Sequence, residues 1–259
     1  MDIIISVRGL HKAFFGKKVL QGVEIDVPKG KITSIIGQSG TGKSVLFKCI
    51  IGIMQADQGS IKVEGEEITI LPEIELRRIR RRFGYCFQDA ALFDSMTVEE
   101  NIAFPLREVL GMKDKRKMKA IVKEKLEWIE LPGIEGKYPS ELSGGMRKRV
   151  GVARTLAIEP DILLFDEPTT GLDPVLSESI NKLIKRVNEE FGITCMVISH
   201  DIKGTFSISD QIAFLHEGAI QAVGSPVEVA QARHPILRKF LENSFADLKV
   251  DCGPEEEYV

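Results

Sequence analysis

The stretch "KITSIIGQSGTGKSVLFKCI", residues 31–50, places a short apolar strand, a glycine-rich loop and an apolar helix in immediate succession. The loop, "GQSGTGKS", fits the pattern G-x-x-x-x-G-K-[ST], and it lies between a strand and a helix, as that pattern requires. In this setting glycines turn successive backbone N–H groups towards phosphate oxygens, and the helix N-terminus adds partial positive charge. We therefore predict a nucleotide phosphate site here rather than a chance glycine turn.

Two side chains of the loop carry charge and metal chemistry. We expect Lys43 to reach the β and γ phosphates, and the Ser44 hydroxyl to bind Mg²⁺, which prefers hard oxygen ligands and brings phosphates with it. The loop residues that we predict to bind nucleotide are Gly37, Gln38, Ser39, Gly40, Thr41, Gly42, Lys43 and Ser44.

Composition sets broad limits on the other functions. The 259 residues are 43% apolar, with a net charge of -3, so we expect an ordinary globular chain without a global attraction to nucleic acid or anionic lipid. No apolar run approaches the ~18 residues of a membrane span, and we expect neither a span nor an export signal. The cysteines lack CxxC spacing and the four histidines lack metal-ligand spacing, which indicates a reducing compartment and no protein metal cage.

Strands and helices alternate along the chain, which is typical of an α/β sheet core. "GSIKVEGEEI" predicts a hairpin, residues 89–159 have helical character, and Thr97 with Glu100 predicts a capping box. "DILLFDE" reads as a strand buried on both faces. We divide the chain into an ATP-binding core at 1–88 and 160–242, a helical subdomain at 89–159 and a loose acidic tail at 243–259.

Adjacent carboxylates end the strand in "ILLFDE". Successive strand residues face opposite sides, so we assign Asp166 and Glu167 to two different jobs. Asp166 suits the Mg²⁺ shell, usually through water, and Glu167 can polarise the water that attacks the γ-phosphate. The alternative is that Glu167 only caps the next turn.

Two further residues end predicted strands. His200 closes "ITCMVISH", and ligands of open α/β sheets collect at the carboxyl ends of the strands, so a γ-phosphate contact competes with the ordinary fate of a core histidine. Gln88 ends its own β-rich run and would reach the same metal edge. We therefore predict Ser44, Asp166 and Gln88 as the residues that hold the metal.

"LSGGM" and "GLDP" form a second group of motifs. Ser143, Gly144 and Gly145 open a helix, which makes a second anion-binding site in one chain. Either the chain binds two nucleotides, or this site faces the phosphate of another copy. The second option places Asp173 of "GLDP" at the same seam, and a two-fold dimer would then form two composite sites at once.

The order and spacing of these motifs resemble the nucleotide-binding subunits of ABC transporters over residues 3–242. The resemblance implies a P-loop NTPase core with a mostly parallel sheet, an N-terminal antiparallel β part and a helical insertion subdomain. It also implies ATP hydrolysis with Mg²⁺, a homodimer and a separate integral-membrane permease. We expect no nucleic-acid partner.

The same resemblance assigns roles to individual residues. Gln88 is the Q-loop glutamine, Asp173 lies in the D-loop and His200 is the H-loop switch. Either Phe14 or Phe15 stacks on adenine, and we prefer Phe14; stacking of an aromatic ring on a flat base is physically reasonable.

A narrower likeness lies in "FQDAALFDSMTVEENIAFPLRE", residues 87–108, taken with "LSGGMRKRV" and "GITCMVISHDI". It is similar to the Mla/Mkl branch, whose ATPases serve phospholipid transporters with a permease and an MCE-type substrate-binding protein at the cytoplasmic face of the inner membrane. ATPases of amino-acid and other small-solute importers share much of this text, so they stay as the alternative.

Two surface features were open to more than one interpretation. Leu92, Phe93, Met96, Phe104 and Leu106 form either a groove for a permease helix or ordinary core, and the resemblance favours the groove. "RRIRRR" at 77–82 suggests a nucleic-acid or ribosome-associated ABC ATPase, but a solvated helix face or a surface near lipid headgroups is favoured. A P-loop kinase would leave "LSGGM" unexplained.

Overall fold

The computed structural model describes residues 2–246. Within them the strands are β1 (Ile3–Phe14), β2 (Lys17–Pro28), β3 (Ile32–Ile36), β4 (Gln58–Val63), β5 (Glu66–Glu67), β6 (Phe83–Cys86), β7 (Ile162–Asp166), β8 (Thr194–Ile198), β9 (Gln211–His216) and β10 (Ala219–Gly224). The helices are α1 (Lys43–Ile50), α2 (Glu73–Arg80), α3 (Val98–Glu108), α4 (Lys115–Trp128), α5 (Gly144–Leu156), α6 (Pro174–Phe191), α7 (Ile202–Ile208), α8 (Pro226–Gln231) and α9 (Pro235–Ala246).

A six-stranded sheet in the order β10-β9-β3-β8-β7-β6 positions the site, and all its strands but β10 run parallel. Its central strands β3 and β8 are buried along their whole length, because helices cover both faces of a parallel sheet. In the register, Asp166 lies opposite Ile198, so β7 and β8 end side by side. The predicted mostly parallel sheet is confirmed.

A second, antiparallel sheet has the order β2-β1-β4-β5, which confirms the predicted antiparallel part and the β4–β5 hairpin. Helix α1 packs between the two sheets: Phe47 is buried in one core with Val23 and Leu164. The Gln21 backbone N–H also donates to the Gly218 carbonyl oxygen at 2.8 Å, which ties the edge of one sheet to the other. The helix that follows the phosphate loop is thus held from both sides.

Helices α3, α4 and α5 share a separate apolar core that includes Ile102, Leu126 and Val150. The predicted capping box is confirmed: the Thr97 Oγ1 accepts from the Glu100 N–H at 3.2 Å, and the Glu100 Oε2 accepts from the Thr97 N–H at 2.8 Å. Such a box satisfies two free donors at the start of α3. These helices form a unit with its own interior.

Trp128, at the end of α4, joins this helical unit to α6. Its ring lies 5.1 Å from the Phe191 ring, and its Nε1 donates to the Glu190 Oε2 at 2.5 Å. The Arg186 guanidinium carbon lies 4.7 Å from the Trp128 ring centroid, and Arg186 also donates to Glu130 at 2.9 Å. We call these five residues the Trp128 joint, because they connect the end of α4 to the end of α6.

Helix α6 begins as predicted, with Asp173 as N-cap and Pro174 as its first residue. Five apolar residues recur at helical spacing in this segment and predict its core face. Of these, Leu176 is exposed, and the other four, Ile180, Leu183, Ile184 and Val187, are buried. Helix α9 continues to Ala246, through the start of the predicted tail at 243; residues 247–259 of that tail, with Cys252, lie outside the described residues. None of the helices within residues 2–246 is long and apolar enough to span a bilayer.

Candidate nucleotide site

The phosphate loop connects β3 to α1, and two of its glycines are sterically required. A Cβ on Gly37 would lie 2.2 Å from the Leu215 carbonyl oxygen, where no side chain fits. Gly42 is the N-cap of α1 with φ of 102°, in the left-handed region that favours glycine. The loop therefore approaches neighbouring backbone closely at one end and turns sharply into the helix at the other.

Lys43 lies at the start of α1 and is only 5% exposed. Its Nζ donates to the carbonyl oxygens of Gly37 at 2.8 Å and Gln38 at 2.9 Å, so the ammonium sits inside the curve of the loop. Burial lowers the pKa of Lys43, and the nearby charges of Glu167 and Asp166 oppose that shift. Phosphate oxygens would be stronger, charged acceptors for the same ammonium.

Ser44 and Asp166 come together at the carboxyl edge of the sheet, as predicted for a metal site. The Ser44 Oγ donates to the Asp166 Oδ1 at 3.0 Å. Within residues 2–246 there is no cluster of three or more His, Cys, Asp or Glu side chains that would cage a metal. A hydroxyl and a carboxylate beside a phosphate loop fit Mg²⁺, which usually takes one or two protein oxygens and completes its shell with phosphate and water.

Tyr85 was missed in the sequence, and it holds the second oxygen of this carboxylate. Its hydroxyl donates to the Asp166 Oδ2 at 2.7 Å. Burial, followed by the hydrogen bond to Asp166, raises the pKa of Tyr85 far above its usual value, so the phenol stays protonated and keeps donating. A hydroxyl in the largely buried β6, which pairs directly with β7, was the signal that could have drawn attention to it.

Gln88 is placed differently from Ser44 and Asp166. It lies in an exposed turn after β6. Across residues 2–246, no hydrogen bond connects its side chain to Ser44 or Asp166. Its place in the metal shell therefore stays a prediction.

Glu167 and His200 form a second pair on the same edge. The His200 Nδ1 lies 3.4 Å from the Glu167 Oε2, and the Thr170 Oγ1 donates to that same oxygen at 3.0 Å. The His200 side chain is 55% exposed, so the interpretation of His200 as a satisfied core histidine is wrong. An exposed imidazole beside a carboxylate is available to a ligand.

Asp166 and Glu167 contact different partners, but the alternation of strand residues that predicts this is not the cause. Strand β7 ends at Asp166, and Glu167 has φ of 51°, so the alternation of strand residues does not apply to it. The Glu167 N–H donates to the Ile198 carbonyl oxygen at 2.9 Å, which fixes this turn against β8. A left-handed backbone is uncommon for a residue other than glycine, and such outliers cluster at functional sites.

The "LSGGM" motif starts α5 and packs against the "GLDP" segment. Ser143 is the N-cap, and its Oγ accepts from the Met146 N–H at 3.3 Å. A Cβ on Gly144 would lie 3.6 Å from the Leu172 side chain, and one on Gly145 would lie 3.4 Å from Leu176, so both glycines lie against this segment. Within the described part of the chain, no hydrogen bond links 143–145 to the phosphate loop.

Two contacts bind this surface together. The Lys148 Nζ donates to the carbonyl oxygens of Pro168 at 2.6 Å and Thr170 at 2.7 Å, in the turn that follows Glu167. The Asp173 Oδ1 accepts from the Val175 and Leu176 N–H groups, both at 3.0 Å. The start of α5 and the start of α6 thus form one surface, as the seam hypothesis requires.

The two candidate adenine-stacking residues differ in exposure. The Phe14 side chain is 36% exposed and its ring lies 5.5 Å from the Lys12 Nζ, whereas Phe15 is fully exposed with φ of 48°. Phe14 is therefore the more buried of the two, and its ring already contacts a cation.

We expect Phe14→Ala to weaken ATP binding by roughly 1–3 kcal/mol, because a base stacked on an aromatic ring contributes about that much. Phe15→Ala is the matched control and should bind ATP like the unmodified chain. Isothermal calorimetry of both variants measures this. A larger loss in Phe15→Ala than in Phe14→Ala would reverse the assignment.

The apolar groove predicted in the helical unit is only partly a surface. Phe93 is 41% exposed and its ring lies 4.7 Å from that of Phe104. Leu106 is fully buried in the helical core, which corrects its assignment to the groove, and Leu92 is packed against that core. The aromatic pair of Phe93 and Phe104, with the partly exposed Met96, is left for a partner in place of a five-residue groove.

The basic segment 77–82 is neutralised within the chain. Arg80 pairs with Glu73 at 2.5 Å, and Arg82 pairs with Glu64 and Asp161, both at 2.7 Å. Arg77 and Arg78 also contact carboxylates, namely those of Glu73 and Glu66. This supports the interpretation of the segment as an ion-paired helix face.

Comparisons with known proteins agree with this geometry. The family described as "ABC transporter" matches residues 20–170. The chain is 39% identical over 241 residues to the probable ribonucleotide transport ATP-binding protein mkl of Mycobacterium leprae, covering 93% of this chain and 69% of that protein. It is also 39% identical over 243 residues to the methionine import ATP-binding protein MetN of Brucella abortus, covering 92% and 64%.

Solved structures of similar shape include the dimeric post-hydrolysis state of the ATP-binding cassette MJ0796 bound to ADP and Pi. It superposes with a TM-score of 0.78 at 30% identity over 86% of this chain and 98% of that chain. The cbiO1 protein from Clostridium perfringens, part of the transporter complex cbiONQ, gives a TM-score of 0.82 at 28% identity over 96% of each chain.

Proposed function

The chain belongs to the ABC transporter family, and from that premise we propose that two copies of it close around two Mg-ATP and drive a separate integral-membrane permease. As a member of this family the protein is an ATPase that uses ATP and Mg²⁺. The observation that carries the proposal is the placement of two residue pairs beside the phosphate loop: Ser44 with Asp166, and Glu167 with His200.

In this proposal each pair has one task. Ser44 and Asp166 would hold Mg²⁺, with Gln88 as a further ligand. When bound, the metal would supply positive charge that neutralises the charge developing on the transferred phosphoryl group. Glu167 accepts a proton from the attacking water, His200 donates a hydrogen bond to the γ-phosphate, and Lys43 binds the β and γ phosphates through its ammonium.

We place the second anion site opposite the nucleotide of the partner copy. Ser143, Gly144 and Gly145 offer a hydroxyl and free N–H groups at a helix N-terminus, where anions are stabilised. Asp173 lies on the same surface. Because a two-fold interface uses the same patches on both copies, one such dimer completes two sites.

Ser143→Arg tests this arrangement. In a Glu167→Gln background, the substitution should leave ATP binding by the monomer unchanged and prevent the dimer that Mg-ATP induces, because the bulk would lie at the partner's phosphates. Calorimetry measures the first and sedimentation velocity the second. Glu75→Arg, an exposed change on α2, is the control and should still dimerise. A loss of monomer affinity in Ser143→Arg would instead place Ser143 at its own chain's nucleotide.

We also propose the domain division made from the sequence: a core of 1–88 and 160–242 and a helical subdomain of 89–159. The separate apolar core of α3, α4 and α5 supports this division. Helix α9 belongs with the core, because Leu237 and Leu241 are buried against β9 and α7 through Phe214 and Ile202.

The proposed cargo is phospholipid or another lipid, moved between membranes with an MCE-type substrate-binding protein, and the proposed location is the cytoplasmic face of the inner membrane. The similarity to mkl supports the Mla/Mkl branch, although that relative is named for ribonucleotide transport. Purification from native membranes, followed by identification of the co-eluting permease and lipids, tests this. A permease without bound lipid and without an MCE-type partner would contradict it.

Amino-acid import is the second candidate, and one specific observation favours it: the 39% identity to a methionine import protein equals the identity to mkl. The same purification separates the two candidates, because an importer permease would co-elute with a soluble binding protein for the amino acid.

A further inference from the structure

Five residues around the start of α4 form an exposed cationic segment. Lys113, Lys115, Arg116 and Lys117 surround Asp114, and all five are exposed. We call residues 113–117 the basic turn. Within residues 2–246, none of its four cations forms an ion pair.

Asp114 does not neutralise these cations, because its carboxylate is used by the backbone. Its Oδ1 accepts from the N–H groups of Arg116 at 2.9 Å and Lys117 at 3.1 Å, as the N-cap of α4. Further along the helix, Lys119 and Lys123 do meet carboxylates, those of Glu99 at 3.6 Å and Glu127 at 3.8 Å. The unpaired charge is therefore confined to the first turn.

Helix stability does not explain this placement. The N-terminus of a helix carries partial positive charge, so cations in the first turn are unfavourable there and favourable at the other end. Helix α4 has no acidic residue in its first turn and three basic ones. The cluster therefore destabilises the folded chain, which favours a role in binding a partner outside the chain.

The chain also contains a control for this argument. The other basic segment, 77–82, has four of its five arginines paired with carboxylates of the same chain. The clustered arginines of that segment are thus mostly paired within the chain, whereas all four cations of the basic turn are left available.

The basic turn follows the aromatic pair of Phe93 and Phe104, where the resemblance to ABC transporters predicts that the permease docks. On α3, the Arg107 guanidinium carbon lies 5.7 Å from the Phe104 ring centroid, and Leu110 follows with 50% of its surface exposed. The Met112 N–H donates to the Leu106 carbonyl oxygen at 3.0 Å, which folds the start of the basic turn back onto α3. An exposed leucine beside free cations is the composition that partitions into the headgroup region of a bilayer.

We propose that the basic turn and Leu110 bind an anionic lipid surface next to the permease. This rests on the proposed function for its orientation, since the docked permease would bring this end of the helical unit to the membrane. A lipid surface is favoured over an acidic protein segment. Consecutive helical residues diverge by about 100°, so the cations do not line up towards one row of carboxylates. Long, flexible cations can instead each reach phosphates in a diffuse headgroup layer. Each cation near such a surface strengthens partitioning by roughly fivefold.

The test uses the full chain without permease, floated with vesicles of phosphatidylcholine alone or with phosphatidylglycerol added. The unmodified chain should bind only the anionic vesicles, and more weakly as salt is raised. Changing Lys113, Lys115, Arg116 and Lys117 to Gln should reduce that binding by several hundredfold, since four cations each contribute roughly fivefold. The matched control changes four exposed lysines on other elements to Gln: Lys48, Lys62, Lys182 and Lys239.

Leu110→Gln is a second, single variant, and its loss of vesicle binding should persist at high salt, because it removes an apolar contact. Equal binding by the basic-turn variant and the scattered control would overturn the proposal. Displacement of the chain from anionic vesicles by a double-stranded oligonucleotide would also overturn it, because that would indicate a general polyanion site. Displacement by inorganic phosphate at matched ionic strength would likewise overturn it, because that would indicate a free-phosphate site.

The ATPase activity of the basic-turn variant separates this inference from the proposed function. It should equal that of the scattered control, and in a Glu167→Gln background both should dimerise with Mg-ATP. The unmodified chain could hydrolyse ATP and dimerise but bind neutral and anionic vesicles equally. That result would contradict the lipid-surface inference and leave the proposed function standing.

Discussion

Replacing Glu167 by Gln will leave ATP binding intact and reduce hydrolysis by at least about a hundredfold, the lower range for loss of a general base. Glutamine keeps the shape of the side chain and can still accept from the Thr170 hydroxyl, which now donates to the Glu167 Oε2 at 3.0 Å. It cannot accept a proton from water. The unhydrolysed nucleotide should therefore hold two copies together.

Steady-state ATPase assays and sedimentation velocity in Mg-ATP measure the two parts of this result. Glu159→Gln is the control, because Glu159 shares the left-handed backbone, with φ of 51°, but lies in the loop between α5 and β7. Unchanged turnover in Glu167→Gln would exclude Glu167 as the base. A variant that is inactive but stays monomeric with Mg-ATP, even with its permease present, would contradict the composite dimer.

Replacing Lys43 by Ala or Met will abolish detectable ATP binding. The ammonium donates two hydrogen bonds inside the loop, and we expect it to exchange these carbonyl acceptors for phosphate oxygens. Charged hydrogen bonds contribute about 1.5–3 kcal/mol each, so losing two of them weakens binding by roughly two orders of magnitude or more.

Calorimetry with Mg-ATP gives the affinity directly. Lys43→Met keeps most of the apolar stem, so it separates the loss of charge from the loss of packing. Lys48→Ala, on an exposed position of the same helix, should bind as the unmodified chain does. Affinity retained in both Lys43 variants would remove the lysine from the phosphate site.

The parts of this site that could be predicted are those encoded within a short segment. The loop at 37–44 needs only its own glycines and flanking elements, and "ILLFDE" needs only a buried strand with a polar end. The Thr97 box and the Asp173 cap are likewise set within four residues. Each is a local pattern whose geometry does not depend on distant parts of the chain.

The parts that could not be predicted depend on packing between distant segments. Tyr85 meets Asp166 across 81 positions of sequence, and Arg82 meets Asp161 across 79. In the sequence, nothing distinguishes Leu106 from an exposed apolar residue. It is buried because α4 and α5 cover it. The backbone of Glu167 is a further case, because its left-handed turn is held by the hydrogen bond to Ile198 on a neighbouring strand.

The Trp128 joint has a practical consequence, because Trp128 is the single tryptophan of the chain. Its indole contacts a guanidinium, a carboxylate and a second ring, all on α6. Its fluorescence emission should therefore depend on how the helical unit of α3, α4 and α5 packs against α6. Trp128 fluorescence is therefore a label-free probe of the contact between the helical unit and α6.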